Sequence, residues 1–158
     1  MTSGKSHELL TDTQIEQLRA NGCSAEDWSA ITVTMTFEPA RVVNTRFEGV
    51  VKIGDLNGKV AGASGLAMPC GIYNASLVNC IVGDDCRIAG VGSHIANYEI
   101  GDGVSIENVG VIQTNPGATF GYGVEVEVLN EGGGREVTLF AEMSSQFAHL
   151  LCMHKNEI

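Results

Sequence analysis

The sequence predicts a mainly β fold, a parallel β-helix built on a hexapeptide repeat, with short N-terminal helices and a C-terminal helix. Three observations predict it. First, one phrase recurs: "VGDDCRI" at 82–88, "IGDGVSI" at 100–106 and "FGYGVEV" at 120–126. Val82, Gly83, Asp84, Ile88 and Val91 align with Ile100, Gly101, Asp102, Ile106 and Val109 at an offset of 18. The third phrase is offset by 20, which puts two extra residues in "TNPGAT" (114–119), a natural bulging turn. Second, Val82, Ile88, Ile100, Ile106 and Ile112 sit on a six-residue grid, and His94 fills the missing point. A helix repeats near 3.6 residues and a hairpin strand at every second residue, whereas three hexads per turn close a coil that stacks on the turn before it. Third, Gly and Asn recur where such a coil turns its corners, and they tolerate positive φ. Asn79, Asn97 and Asn115 are expected to stack there as one ladder, their amides bonding to each other and to the turn backbone.

Each strand is too short to bury its own apolar side. Stacked in parallel, the strands point their grid residues into a shared interior, and the open ends of the stack need covers. Residues 1–30 read as a helical cap. In "TDTQIEQLRANG" (11–22), Thr11 and Gln14 form a capping box, Ile15 and Leu18 give an apolar face, and Asn21-Gly22 is a stop. "SAEDWSAI" (24–31) reads as a second, shorter helix, with Ser24 and Asp27 at its start and Trp28 as the anchor of the cap. Residues 31–130 are assigned to the coil. They open with the alternating strand "ITVTMTF" (31–37) and a first turn over 40–58, where Ile53-Gly54-Asp55 echoes the later phrases. Residues 56–71, "LNGKVAGASGLAMPCG", break the grid as a loop or small hairpin projecting from a corner, a place where function tends to sit. Residues 131–158 hold a Gly-rich loop and then an amphipathic helix, with Leu139, Met143, Phe147, Leu150 and Leu151 at helical spacing.

Composition narrows the function classes. At 158 residues and 44% hydrophobic, the chain builds one domain with a real core. A formal net charge of −10 repels phosphate backbones and anionic bilayers, so neither nucleic acid nor membrane is an expected partner. "MTSGKSHELL" lacks the apolar stretch of a secretory signal, which points to the cytoplasm. Cysteines stand at 23, 70, 80, 86 and 152 without a CxxC pair, so buried reduced thiols are expected and no metal or cofactor is assigned.

Two regions could carry chemistry. In "LNEGGGREV" (129–137) the glycines let backbone approach a ligand, and Asn130, Gly133, Gly134, Arg135 and Glu136 are the candidate binding residues. Arg135 suits a phosphate or carboxylate, and Glu131 suits a base or a sugar hydroxyl. The alternative is a plain linker from coil to helix. No Lys-Ser/Thr follows these glycines, so they are not a P-loop, and "GDGVSIENVG" lacks Rossmann spacing. His94 is the histidine inside the repeat. It is either an interior or corner residue held by hydrogen bonds or a general base. His149 and His154 are five apart and do not share a helix face as metal ligands would.

The ordered phrases "CSAEDWS", "GIYNASLVNCIVGDDCRI", "SHIANYEIGDGVSIENV", "FGYGVEVEVLNEGGGREV" and "SSQFAHLL" resemble the bacterial domain-of-unknown-function 4954 family over roughly residues 11 to 152. The resemblance implies a left-handed winding, akin to the coil domains of sugar-nucleotide pyrophosphorylases and hexapeptide acyltransferases. It also implies that full-length members are several times longer, this chain being their N-terminal part. Carried over by position, it matches Asn130, Glu131, Gly133, Gly134, Arg135 and Glu136, and in the coil Asn97 and Tyr98; Gly132 departs from it. Two functions are then expected. One is a module of a sugar-nucleotide-type transferase moving an acyl or nucleotidyl group to a sugar phosphate, with His94 and Glu131 catalytic. The other is a non-catalytic scaffold that forms a homo-oligomer, commonly a trimer for such coils.

Overall fold

Parallel strands of two to eight residues bury side chains only if neighbouring turns cover their edges, and the ladders of this chain have that form. The structure is a computed structural model that describes residues 6–62, 65–115, 118, 123–127, 136–140 and 143–154. It is mainly β, with mixed and parallel sheets. It divides into two units, Met1–Asn115 and Pro116–Ile158.

Three columns of inward side chains build the core of the first unit. In one sheet, Val33, Ile53, Val82 and Ile100 stand in register through the parallel strands Ile31–Thr34, Val51–Ile53, Ile81–Val82 and Glu99–Ile100. In the second sheet, Val42–Glu48 pairs in parallel along most of its length with Gly71–Val78. Both strands bend where Asn44 (φ 47) and Asn74 (φ 52) enter the left-handed region, so each serves two faces. On one side of the bend Val42, Ile72, Ile88 and Ile106 align; on the other Phe47, Leu77, Ile95 and Ile112 align. These residues are fully buried through Ile88 and Ile95 and half-buried at Ile106 and Ile112.

The six-residue grid places the column correctly at Val82, Ile88, Ile100, Ile106 and Ile112 and misplaces it at His94. The inward residue is Ile95, buried and paired with Leu77 and Ile112, while His94 is half-buried on the outer side of the strand His94–Ala96. The reason is an extra residue in the corner "GVGS" (90–93), whose glycines let the chain take a longer path without steric penalty.

At the start of the chain, the helix Asp12–Ala20 carries the expected box: Thr11 Oγ1 accepts from Gln14 N–H at 3.3 Å, and Thr11 N–H donates to Gln14 Oε1 at 2.9 Å. Leu18 is its buried residue, and Ile15 packs on the core from its edge. The second expected helix shrinks to one 3-10 turn, Trp28–Ala30. Asp27 alone caps it, accepting from Ser29 N–H at 2.8 Å. Ser24–Ala25 instead adds a short parallel strand beside Arg46–Phe47, because a backbone next to an open strand edge gains more from pairing than from a helical turn of its own. His7–Leu9 covers the edge of Ile31–Thr34 as an antiparallel strand.

The insertion between Asp55 and Cys70 is a hairpin, Lys59–Ala61 against Ala67–Pro69, with Val60 opposite Met68. In the second unit, Glu125–Glu127 pairs antiparallel with Glu136–Thr138, and Ser145–His154 is helical; it carries Phe147, Leu150 and Leu151 of the predicted face, while Leu139 and Met143 precede it. Val126, read in sequence as the counterpart of Ile106, thus sits opposite Val137 in an antiparallel ladder. Phe120 and half of "TNPGAT" (116, 117 and 119) lie outside the described residues.

Candidate functional site

Several polar side chains of the first unit bond from one turn to the next at the corners between its strands. At one corner, Asn79 Nδ2 donates to Asn97 Oδ1 at 3.5 Å, and Asn97 Nδ2 donates to the carbonyl of Thr114 at 2.9 Å. Thr114 Oγ1 returns a bond to Asn97 O at 3.0 Å. The third rung of the predicted asparagine ladder is therefore Thr114, not Asn115, because the spacing to this rung is 17 residues rather than 18. Asn97 is consequently occupied with structural bonds, and Tyr98 packs half-buried against the core. A second corner carries Asn44 and Asn74, joined by Nδ2 to Oδ1 at 2.7 Å.

The third corner is acidic. Asp84 Oδ1 accepts from Asp55 N–H at 2.7 Å, and Asp102 Oδ1 accepts from Asp84 N–H at 2.8 Å. Thr36 Oγ1 closes the top by donating to Asp55 Oδ2 at 2.9 Å. The stack explains the glycines before Asp55 and Asp84, whereas a Cβ on Gly101, before Asp102, would meet nothing within 4 Å. A Cβ on Gly83 would stand 2.5 Å from Asp102 Oδ1 and 2.8 Å from the carbonyl carbon of Gly101, although Gly83 needs no positive φ. The repeated Gly-Asp was visible in sequence; its role as a rung-to-rung bond was not.

The hairpin stands over the parallel strands beside this corner. Gly58 N–H donates to Asp85 Oδ1 at 3.0 Å, and Arg87 Nη1 donates to Pro69 O at 2.9 Å. Arg87 also pairs with Glu107 and lies 5.2 Å over the Tyr73 ring. Arg87 and Glu107 sit on adjoining strands with side chains only 15% and 22% exposed, so this pair is worth more than a solvated one. Between the hairpin and the neighbouring strands runs an open cleft of about 530 Å³, lined by Ala61, Gly62, Ser105, Ile106, Glu107, Val109 and Ile112. Sequence reading singled out the insertion but not Arg87 or Glu107, which carry no motif and meet only through the register of Arg87 with Ser105.

Of the candidates named from sequence, His94, Asn97, Tyr98 and Glu136 fall among the described residues. His94 is held on a strand, with Nδ1 2.9 Å from Ser93 Oγ and Nε2 2.8 Å from Gln113 Oε1. Glu136 lies half-buried in the hairpin of the second unit. Asn130, Glu131, Gly133, Gly134 and Arg135 lie outside the described residues. The described cysteines Cys23, Cys70, Cys80 and Cys86 are free and buried, and burial pushes all four thiols up. Cys80 Sγ donates to Ile95 O at 3.3 Å and Cys86 Sγ to Gly101 O at 3.0 Å, so both act as core fillers that also bind backbone. Among the described residues no cluster of three or more His, Cys, Asp and Glu side chains could hold a metal, and no helix is long and apolar enough to cross a membrane.

The family described as a domain of unknown function, DUF4954, matches residues 7–158. The chain belongs to this family. It is similar to an uncharacterized protein of Treponema pallidum (strain Nichols), 27% identical over 158 residues that cover 93% of this chain and 22% of that protein. The DUF4954 chain thus spans about a fifth of the curated relative it matches. No solved structure matches it.

Proposed function

We propose that this DUF4954 chain is a left-handed parallel β-helix that acts as a non-catalytic scaffold, with flat faces that bring copies of itself together, as a trimer. The observation that carries the reading is where the corner side chains go. Asn44, Asn74, Asn79, Asn97, Asp55, Asp84 and Asp102 each bond to the turn above or below. Polar groups spent on holding turns together make a stiff prism and leave few of them free for chemistry. Inward columns that repeat at 82 and 100, at 88 and 106, and at 95 and 112 support the coil; the family resemblance supports its hand. The test is mass in solution. Light scattering on the eluted protein should give a trimer, and a monomer at tens of micromolar overturns the assembly. A crystal structure with right-handed crossovers overturns the winding.

One observation favours a second reading, a module of a sugar-nucleotide-type transferase. The cleft beneath the hairpin has the volume of a small-ligand site and presents the Glu107 carboxylate beside Ile106 and Val109. A sugar phosphate or nucleotide-sugar would be the ligand, with Arg135 and Glu131 as further candidates. Thermal shift against UDP-sugars, sugar phosphates and acetyl-CoA decides it. A rise of several degrees that disappears in Glu107→Ala, Arg135→Ala or Glu131→Ala supports a ligand site; no shift with any ligand rejects it.

A further inference from the structure

The outer face of the coil carries a hydrogen-bonded chain that the corner ladders do not use. Ser93 Oγ lies 2.9 Å from His94 Nδ1, and His94 Nε2 lies 2.8 Å from Gln113 Oε1. An amide oxygen only accepts, so Nε2 holds the ring proton and donates it to Gln113. Nδ1 then has a lone pair, and the Ser93 hydroxyl donates to it.

The backbone under this chain is fixed. Gly92 N–H donates to Val109 O and Ser93 N–H to Gly110 O, both at 2.8 Å. His94 stands in register with Val111, and Gln113 with Ala96, so these two ride on paired strands, while Ser93 sits in the corner just before, tied down by its own N–H. The face around them is open. Ser93 is exposed, and a Cβ on Gly92 would approach only the backbone of Val109 and Gly110, at 3.7 Å or more. Beside the imidazole, Val111 is 52% exposed, an unusual level for a valine on a paired strand. A hydroxyl, a base oriented by an amide, an unobstructed approach and an apolar footing are the parts an acyl group needs.

We propose that Ser93, His94 and Gln113 form an acyl-transfer site for small activated acyl esters. This goes beyond the assembly in the scaffold reading, does not depend on it, and departs from that reading in giving this one face a catalytic role. Ser93 Oγ attacks the carbonyl carbon while its proton passes to His94 Nδ1. The tetrahedral adduct collapses with loss of the leaving alkoxide, which takes that proton, and an acyl group remains on Ser93. Water, deprotonated by the same nitrogen, then releases the acid and restores the hydroxyl. Val111 supports the acyl chain. Gln113 is a positioning residue: it fixes the tautomer but brings no charge to stabilise the imidazolium, so turnover is slow beside a carboxylate-backed triad.

The experiment treats the 158-residue protein with p-nitrophenyl acetate, follows nitrophenolate release, and maps the acetyl group by mass spectrometry of its peptides. A single acetyl on Ser93 is expected. Ser93→Ala, at an exposed position, should abolish it with the thermal midpoint unchanged, and His94→Gln should slow release by about a hundredfold. Gln113→Ala should lower kcat with KM unchanged, and Gln113→Glu should restore or exceed the wild-type rate, which a merely structural role would not do. The proposal is overturned if wild type reacts no faster than Ser93→Ala, or if the acetyl group sits on lysine or cysteine in both.

Discussion

At the scale of single residues, the first unit depends on positions where nothing larger fits and on side chains that cross from one strand turn to the next. Gly83 is the sharpest case. Its Cβ would enter the space of Asp102 Oδ1 and of backbone at Gly101, so Gly83→Ala should cost roughly 1–3 kcal/mol in denaturant unfolding. Asp102→Ala removes the acceptor for Asp84 N–H and should cost about 1–2 kcal/mol. The thiols give a pH dependence with a definite sign. Burial raises Cys23, Cys70, Cys80 and Cys86 above the ordinary 9.0, so the folded chain keeps protons that the unfolded chain releases. Their contribution is full below that value and is lost as pH rises through the folded values. Unfolding free energy measured from pH 7 to 11 should therefore fall above pH 9, and a Cys80→Ala, Cys86→Ala double variant should fall less steeply. An equal slope in the two proteins rejects the thiols as the cause.

At the scale of elements, the hairpin Lys59–Ala61/Ala67–Pro69 is the part least able to stand alone, since an isolated two-stranded ribbon is marginal in water. Arg87 holds it by bonding Pro69 while pairing with Glu107 and lying over Tyr73. Arg87→Ala should lower the local opening free energy of the hairpin by roughly 1–3 kcal/mol and speed amide exchange across 59–69, with little change in the strands beneath. Exchange that rises equally everywhere would show that Arg87 supports the coil rather than the hairpin. Elements were legible in sequence where local chemistry decides them, as in the Thr11–Gln14 box, which reappears atom for atom. They were less legible where a neighbour decides. Ser24 looks like a helix cap, yet Arg46–Phe47 offers its backbone a ladder, and no local pattern reports a strand that lies twenty residues on. His94 shows the same limit. A fixed period assigns it to the core, and one additional corner residue turns it outward and gives the place to Ile95.

At the scale of the whole molecule, stability should fall off along the stack. Ile95 is fully buried between Leu77 and Ile112, whereas Ile112 is only half-buried. Ile95→Ala should therefore cost roughly 2–5 kcal/mol and Ile112→Ala about half as much. Equal costs would mean that the inward column does not weaken towards Ile112. The repeat made the columns readable because equal spacing in sequence becomes superposition in space. The polar corners were harder to read, since Asn and Asp announce a turn without announcing what the side chain holds across it. The hairpin adds a last consequence. The same acidic corner is rounded by Gly83–Asp85 with no excursion at all, and the chain that leaves at Asp55 re-enters at Cys70 with Gly71 N–H bonded to Cys86 O. The stack is indifferent to the length of what is spliced in there, which makes this corner a natural graft point: foreign peptides set between Gly58 and Pro69 should be displayed on an otherwise unaltered frame.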